Sequence, residues 1–342
     1  MATADQIKAL VRSHVERDDS RFYAIAIQVA AQEARNGHGR LAVELREIVD
    51  RAKELGRAVQ AGPGPKPIPM VQPRGDLAAL LTVRYPDTRL VDMALEDDLK
   101  NRIEAVVREQ RQRARIREFG LSPLRKLLLV GPPGTGKTMT ASALAGELGI
   151  PLFSIQLDGL ITKFMGETAA KLRLVFDAVQ TTRGVYLFDE FDALGSQRGQ
   201  ANDVGEIRRV LNSFLSFLEN DGSDSVVIGA SNHAELLDRA LFRRFDAILE
   251  YSLPTKEVAE TIIRSRLCFL EAAGVEWDGS TGEVIRECGS LSHAEITLAC
   301  RQAAKNVILA ETSTVREIDL VSAIRDRRKI AQVRLCGGSD GK

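Results

Sequence analysis

The run Gly131-Pro132-Pro133-Gly134-Thr135-Gly136-Lys137-Thr138 combines flexible backbone with one amine and one hydroxyl. Glycines let a chain curl until several N–H groups point at one centre, the geometry that holds phosphate oxygens. Lys137 is placed to reach outer phosphates and the Thr138 hydroxyl to ligate Mg²⁺, with Met139 beside them as a further nucleotide contact. Downstream, Val185-Tyr-Leu-Phe runs into Asp189-Glu190, an apolar strand closed by two acids. At the carboxyl edge of a sheet Asp189 can hold the metal and Glu190 can orient a water; alone, the pair reads as a solvated acidic turn. Asn232 ends another apolar run and can hydrogen-bond the attacking water or the γ-phosphate, or be an ordinary turn residue. Arg243 and Arg244 stand side by side before a further strand. Guanidinium groups bind phosphate oxygens bidentately, so in a ring of chains these two could enter a neighbour's site; otherwise they are surface arginines.

These residues need elements to position them. Apolar runs at Leu127–Val130, Leu152–Leu157, Val185–Phe188, Val226–Ala230 and Ala247–Tyr251 predict five strands. Helical stripes fall between them: Ala169, Leu172, Val175, Phe176 and Val179 in one, and Val204, Ile207, Val210, Leu211, Phe214 and Leu218 in another. Alternation of this kind predicts an α/β domain with a parallel five-stranded sheet and helices on both faces, over residues 76–253. From about Thr255 the β signal nearly stops, and a helical subdomain over 254–336 is expected. Ser292-His-Ala-Glu295 and Thr314-Val-Arg-Glu317 both fit a capping box and predict helix starts. Residues 61–75, AGPGPKPIPMVQPRG, hold five of the eleven prolines and read as a semi-rigid linker. Three amphipathic stripes before it predict a small helical bundle over 1–60, and residues 337–342 read as a disordered tail.

Composition narrows the partners. The 342 residues carry 47 basic and 47 acidic side chains, so bulk charge does not hold this chain to nucleic acid or membrane. Aromatics are 5%, which argues against base-stacking binders of single strands. Arg108, Arg111, Arg113, Arg115 and Arg117, interleaved with Glu104, Glu109 and Glu118 on one expected helix, read as a solvated or intersubunit face before a nucleic-acid surface. Arg325, Arg327, Arg328 and Lys329 read likewise. The cysteines at 268, 288, 300 and 336 have no metal or redox spacing, and no leader or membrane span is visible, so the cytoplasm is the expected compartment.

Taken together, GPPGTGKT, LFDEFDAL, GASNHAELLDRALFRRFD and LSHAEI resemble, in order and spacing, the motifs of AAA-family ATPases within the AAA+ class of P-loop NTPases. The likeness runs from about Leu90 to Arg328. The RRFD and YSLPTKE segments are similar to the branch holding spastin, katanin and Vps4-like proteins. The resemblance implies ATP/ADP and Mg²⁺ as cofactors, Gly131 to Met139 as the nucleotide loop, and Thr138 with Asp189 at the metal. It implies Glu190, Asn232 and Lys137 as catalytic groups, and Arg243 and Arg244 as arginine fingers acting on a neighbouring subunit. It also implies a homo-hexamer whose Phe164-Met165-Gly166 loop grips a polypeptide in a central pore. Without the family, a Phe-Met pair reads more readily as core. In LSHAEI, His293 stands where the family has Gly, and whether it touches nucleotide or is merely tolerated stays open. The segment Leu90–Glu104 should frame the adenine but cannot be registered residue by residue. A DNA-directed ATPase of the helicase-loader or transposition-helper kind, and an ATP-switched regulator of a partner such as a protease, remain as alternatives. The N-terminal bundle is expected to recruit an adaptor or substrate.

Overall fold

A computed structural model of the chain describes residues 73, 75–160, 165–194, 203–237, 239–272, 274–312 and 314–336. The chain divides into two units, Met1–Pro69 and Met70–Lys342, and everything described belongs to the second. The expected bundle, most of the linker, the tail and Phe164 lie outside the described residues.

The first part of this unit runs α1 (Asp76–Leu80), β1 (Leu81–Arg84), α2 (Asp97–Arg111), α3 (Arg113–Glu118), β2 (Lys126–Val130) and α4 (Lys137–Leu148). It continues with β3 (Leu152–Ile155), α5 (Leu157–Leu160), α6 (Met165–Thr181), β4 (Val185–Phe188), α7 (Asp203–Asn220), β5 (Val226–Ser231), α8 (Arg239–Phe242) and β6 (Ala247–Glu250). The sheet order is β1-β3-β4-β5-β2-β6. The five expected strands are present and mutually parallel. The sheet is wider than expected by one strand: β1 pairs antiparallel with β3, Leu81 opposite Ile155 and Arg84 opposite Leu152. β1 is an edge strand, and its LTVR sequence lacks the continuous apolar run that marks strands buried on both faces.

The central strands show why the run is continuous. Leu128 and Val130 of β2 enter one core with Phe153, Phe176, Phe188 and Phe214. Leu127 and Leu129 enter the opposite core with Ile103, Leu144 and Ile228. Alternate side chains of a strand point to opposite faces, so a sheet covered on both sides demands apolar residues at every position. The basic helix is interrupted at Gln112, giving α2 and α3 where one helix was expected. Arg111 pairs with Glu147 at 2.8 Å, and Arg117 with Asp224 at 2.6 Å.

The second part holds α9 (Lys256–Ala272), β7 (Glu276–Asp278), α10 (Gly282–Cys288), α11 (His293–Leu309), β8 (Thr314–Arg316) and α12 (Glu317–Cys336) around its own core of Ile263, Val284, Ile296, Cys300, Leu320 and Ile324. The expected capping box at Ser292 is formed: Ser292 Oγ accepts from Glu295 N, and the Glu295 carboxylate accepts from Ser292 N at 2.8 Å. The one expected at Thr314 is not. Thr314 to Arg316 pair with β7 as a short parallel ladder, and the helix starts only at Glu317. Asp319, rather than Glu317, accepts the Arg316 N–H there, at 3.0 Å. Arg325 and Arg328 both reach Glu287, at 2.9 and 3.1 Å. No helix among the described residues is long and apolar enough to cross a membrane.

Candidate active site

Strand β2 ends at Val130, and the chain then passes under Tyr251. A Cβ on Gly131 would lie 2.2 Å from the Tyr251 carbonyl oxygen, so only glycine fits. Gly136, at φ 106°, turns the loop into α4. Lys137 is the first residue of that helix and is 6% exposed. Its Nζ donates to the carbonyls of Gly131 and Pro132 at 2.7 and 2.8 Å. Burial pushes the Lys137 amine below its ordinary pKa, while the Asp189 and Asp192 carboxylates push it up. Thr135 is buried and its hydroxyl donates to the Pro132 carbonyl at 2.8 Å. The loop thus closes on itself around the lysine, at the positive end of a helix.

The acids come from the end of β4. Thr138 Oγ1 donates to Asp189 Oδ2 at 2.7 Å, so the two expected metal ligands already touch. An oxygen-only pair suits Mg²⁺, and the residues present fit it. Glu190 follows at φ 51°, with its N–H bonded to Asp189 Oδ1 at 3.0 Å. A non-glycine residue in the left-handed region costs on the order of 1–3 kcal/mol and persists where its surroundings fix it. The Glu190 residue is exposed there. Asn232, beyond the end of β5, lies beside them: its N–H donates to Asp192 Oδ1 at 3.3 Å, and the Ser231 hydroxyl donates to the same oxygen at 2.9 Å. Sequence reasoning missed Asp192 and Ser231 as the groups that position Asn232. The available signal was the second acid in LFDEFDAL.

These residues meet in a cleft of about 600 Å³, lined at one end by Pro133 to Met139, Asp189, Glu190 and Asn232. Gly131 and Pro132 sit beneath the loop rather than on the cleft wall. The other end offers apolar surface interleaved with as many polar and charged side chains. Val91 to Leu95 supply one side of it, which registers the segment that sequence could not. α9 and α11 supply the rest, among them Ile262, Arg266, His293, Leu298 and Arg301. The seam between loop and lid is tight. Ala294 N donates to the Gly134 carbonyl at 3.0 Å, and a Cβ on Gly134 would lie 2.6 Å from Ser292 Oγ. His293 is half-buried at this seam, and burial lowers its pKa against the opposing effect of the Ala94 backbone. Its Nδ1 is sealed from solvent with no hydrogen-bond partner among the described residues.

Three expected site elements are not brought to this cleft. Arg243 and Arg244 are exposed on the turn after α8, outside the cleft lining, and Arg244 pairs with Glu219 at 2.5 Å. The motif explains the display. Phe245 is buried against Phe191, and the Asp246 carboxylate accepts from Arg125 N and Lys126 N at 2.9 Å, so the residues flanking the turn are pinned. Met165 and Gly166 open α6.

Comparison with known proteins agrees with this geometry. Residues 127–253 match the family described as "ATPase family associated with various cellular activities (AAA)". A Sinorhizobium fredii protein named "Uncharacterized AAA family ATPase y4kL" is 32% identical over 338 residues, covering 98% of this chain and 99% of that one. The "ATP-dependent zinc metalloprotease FtsH 1" of Methylacidiphilum infernorum is 33% identical over 258 residues, 72% of this chain but 40% of that protein. FtsH 3 of Sphaerobacter thermophilus is 36% identical over 198 residues, 56% of this chain and again 40% of that protein. Among the described residues here, no group of three or more His, Cys, Asp or Glu could hold a metal ion. With a phosphate loop, a strand ending in Asp-Glu and a helical lid meeting at one cleft, and with a relative matched from end to end, the chain belongs to the AAA family of ATPases.

Proposed function

We propose that the chain works as a ring of copies, six by its family resemblance, in which Mg²⁺-dependent ATP turnover remodels or unfolds a polypeptide. Lys137 binds the outer phosphates of ATP. Thr138 and Asp189 hold Mg²⁺, which supplies neutralisation of phosphate charge when bound. Glu190 orients a water in line with the γ-phosphorus and draws its proton, and Asn232 holds that water or the γ-phosphate oxygen. Arg243 and Arg244 of an adjacent copy stabilise the charge that develops on the transferring group. Phe164, Met165 and Gly166 grip the substrate chain, and residues 1–60 recruit it or an adaptor in the cytoplasm. Action on polypeptide is borrowed from relatives named as proteases, of which this chain spans 40%.

The observation that supports the ring is Arg243. It is exposed and stands outside the lining of its own cleft. A guanidinium so displayed is useful to phosphate chemistry only across a boundary between copies. An arginine finger is worth on the order of 10³–10⁵ in turnover. The test mixes two inactive variants, Arg243→Ala/Arg244→Ala and Lys137→Ala. Each lacks what the other retains, so mixed rings should regain ATP turnover. Failure to regain any would exclude fingers acting across the boundary. The same assay with a labelled folded protein separates the motor from a switch: Phe164→Ala should keep ATP turnover and lose unfolding, and unfolding at the original rate would rule out the pore role.

A further inference from the structure

Tyr251 opens the YSLPTKE segment, was given no role at the site, and touches both ends of the phosphate loop. It follows β6, is 5% exposed, and packs in the core that also holds Met93 and Leu249. At the loop's entrance its N–H donates to the Val130 carbonyl at 2.7 Å, and its own carbonyl occupies the space that a Gly131 side chain would need. At the exit its hydroxyl lies 2.6 Å from Thr140 Oγ1, in the first turn of α4. Thr140 Oγ1 in turn lies 3.2 Å from the Gly136 carbonyl. A threonine hydroxyl has one proton, and the carbonyl can only accept. With Tyr251 as the donor to Thr140, the Thr140 proton is left for the Gly136 carbonyl, which also accepts the Thr140 N–H at 2.8 Å, while Met93 Sδ lies 4.0 Å from the same hydroxyl. Gly136 is the left-handed residue whose peptide joins the loop to Lys137. Burial pushes the Tyr251 hydroxyl up to about 12, against the smaller opposing effect of Thr140, so the donor stays protonated wherever the protein works.

We propose that Tyr251 is a positioning residue for ATP binding, holding the phosphate loop at its cradle width through the Thr140–Gly136 relay. Neither hydroxyl is among the cleft-lining residues, so the effect reaches the nucleotide only through the backbone of the loop. The relay also meets the start of the lid: Ser252 to Thr255 lead straight from Tyr251 into α9. A cradle that has lost its width binds the phosphates less well in ground and transition state alike, which appears in KM and not in kcat.

The test uses the full-length chain. Tyr251→Phe removes one oxygen and keeps the ring, so the packing survives. A net hydrogen bond of ordinary strength corresponds to roughly fivefold in affinity. KM for ATP and the Kd for Mg²⁺-ADP should rise together by about that factor, with kcat changed less than twofold. Thr140→Val should do the same, and Thr140→Ser, which keeps the oxygen, should restore affinity. In the Tyr251→Phe/Thr140→Val double variant the loss should equal that of Thr140→Val alone, because that change already removes the whole relay. The proposal is overturned by unchanged ADP affinity in Tyr251→Phe, by a fall in kcat at constant affinity, by multiplying losses in the double variant, or by Thr140→Ser behaving like Thr140→Val.

Discussion

The two ends of the cleft are built differently. The phosphate end is made by contiguous segments at the carboxyl edge of the sheet: Pro133 to Met139 after β2, Asp189 and Glu190 after β4, Asn232 after β5. Its chemistry lies in backbone amides, one amine and a few oxygens held by a rigid parallel sheet. The opposite end is made by side chains from three segments distant in sequence, Val91 to Leu95, α9 and α11. It combines apolar contact with polar side chains and two arginines, and α9 and α11 bring their share from a subdomain with a core of its own. In the proposed function the first end carries the reaction and the second carries nucleotide contact to the lid. A bond between Ala294 and Gly134 ties them.

If that division is right, substitutions at the two ends should fail in different ways. The largest effect belongs to Glu190→Gln. Removing a general base costs about 10²–10⁴ in turnover, while the loop and metal ligands are untouched. ATP turnover should collapse with nucleotide retention intact, measured by release of phosphate and by bound ATP after gel filtration. Near-normal turnover would remove Glu190 from the chemistry. Gly134→Ala comes next, because it strikes the seam itself. Its Cβ would meet Ser292 Oγ at 2.6 Å and the Ala294 Cβ at 3.1 Å, and φ 75° already disfavours a side chain. Overpacking of this kind costs typically 1–3 kcal/mol. The melting temperature should drop, and addition of Mg²⁺-ADP should raise it less than in the parent protein. An unaltered ADP-induced shift would mean that loop and lid are not coupled through this contact. The smallest effect is expected of Leu298→Ser at the far end. Leu298 is 40% exposed, so only part of its apolar surface is lost to a bound nucleotide. A loss of up to about 1 kcal/mol raises KM up to fivefold and leaves kcat unchanged. A change in kcat would show that the far end takes part in the chemical step.

The same contrast explains what could be read from sequence. Phosphate binding by backbone demands glycines at fixed intervals next to a lysine, so Gly131 to Thr138 announce themselves in one dimension. The sheet strands are equally plain, because Leu127 to Val130 and Val185 to Phe188 are buried on both faces and cannot alternate with polar residues. β1 escaped because an edge strand is free of that demand. Thr314 misled because Thr-x-x-Glu marks a helix start only where the backbone is free to begin one, and here pairing with β7 claims those residues. At the far end Val91, Ile262 and Leu298 look like any core residue, since apolar contact carries no spacing rule. Asp192 was visible as an acid but not as the group that holds Asn232, a contact across 40 residues. Tyr251 looked like the last residue of a strand.

By itself the sequence determined the reaction class and the sheet that supports it. Both rest on interactions between near neighbours in the chain: a loop curling on its own glycines, a helix dipole aimed at that loop, strands too apolar to be exposed. Only the tertiary structure decided which side chains wall the far end of the cleft, that His293 sits half-buried at the lid seam with its Nδ1 sealed from solvent, and that one tyrosine spans the loop from Gly131 to Thr140. Those contacts join residues up to about 200 positions apart. A hydrogen bond or a van der Waals contact depends on separation in space and leaves no period in the sequence.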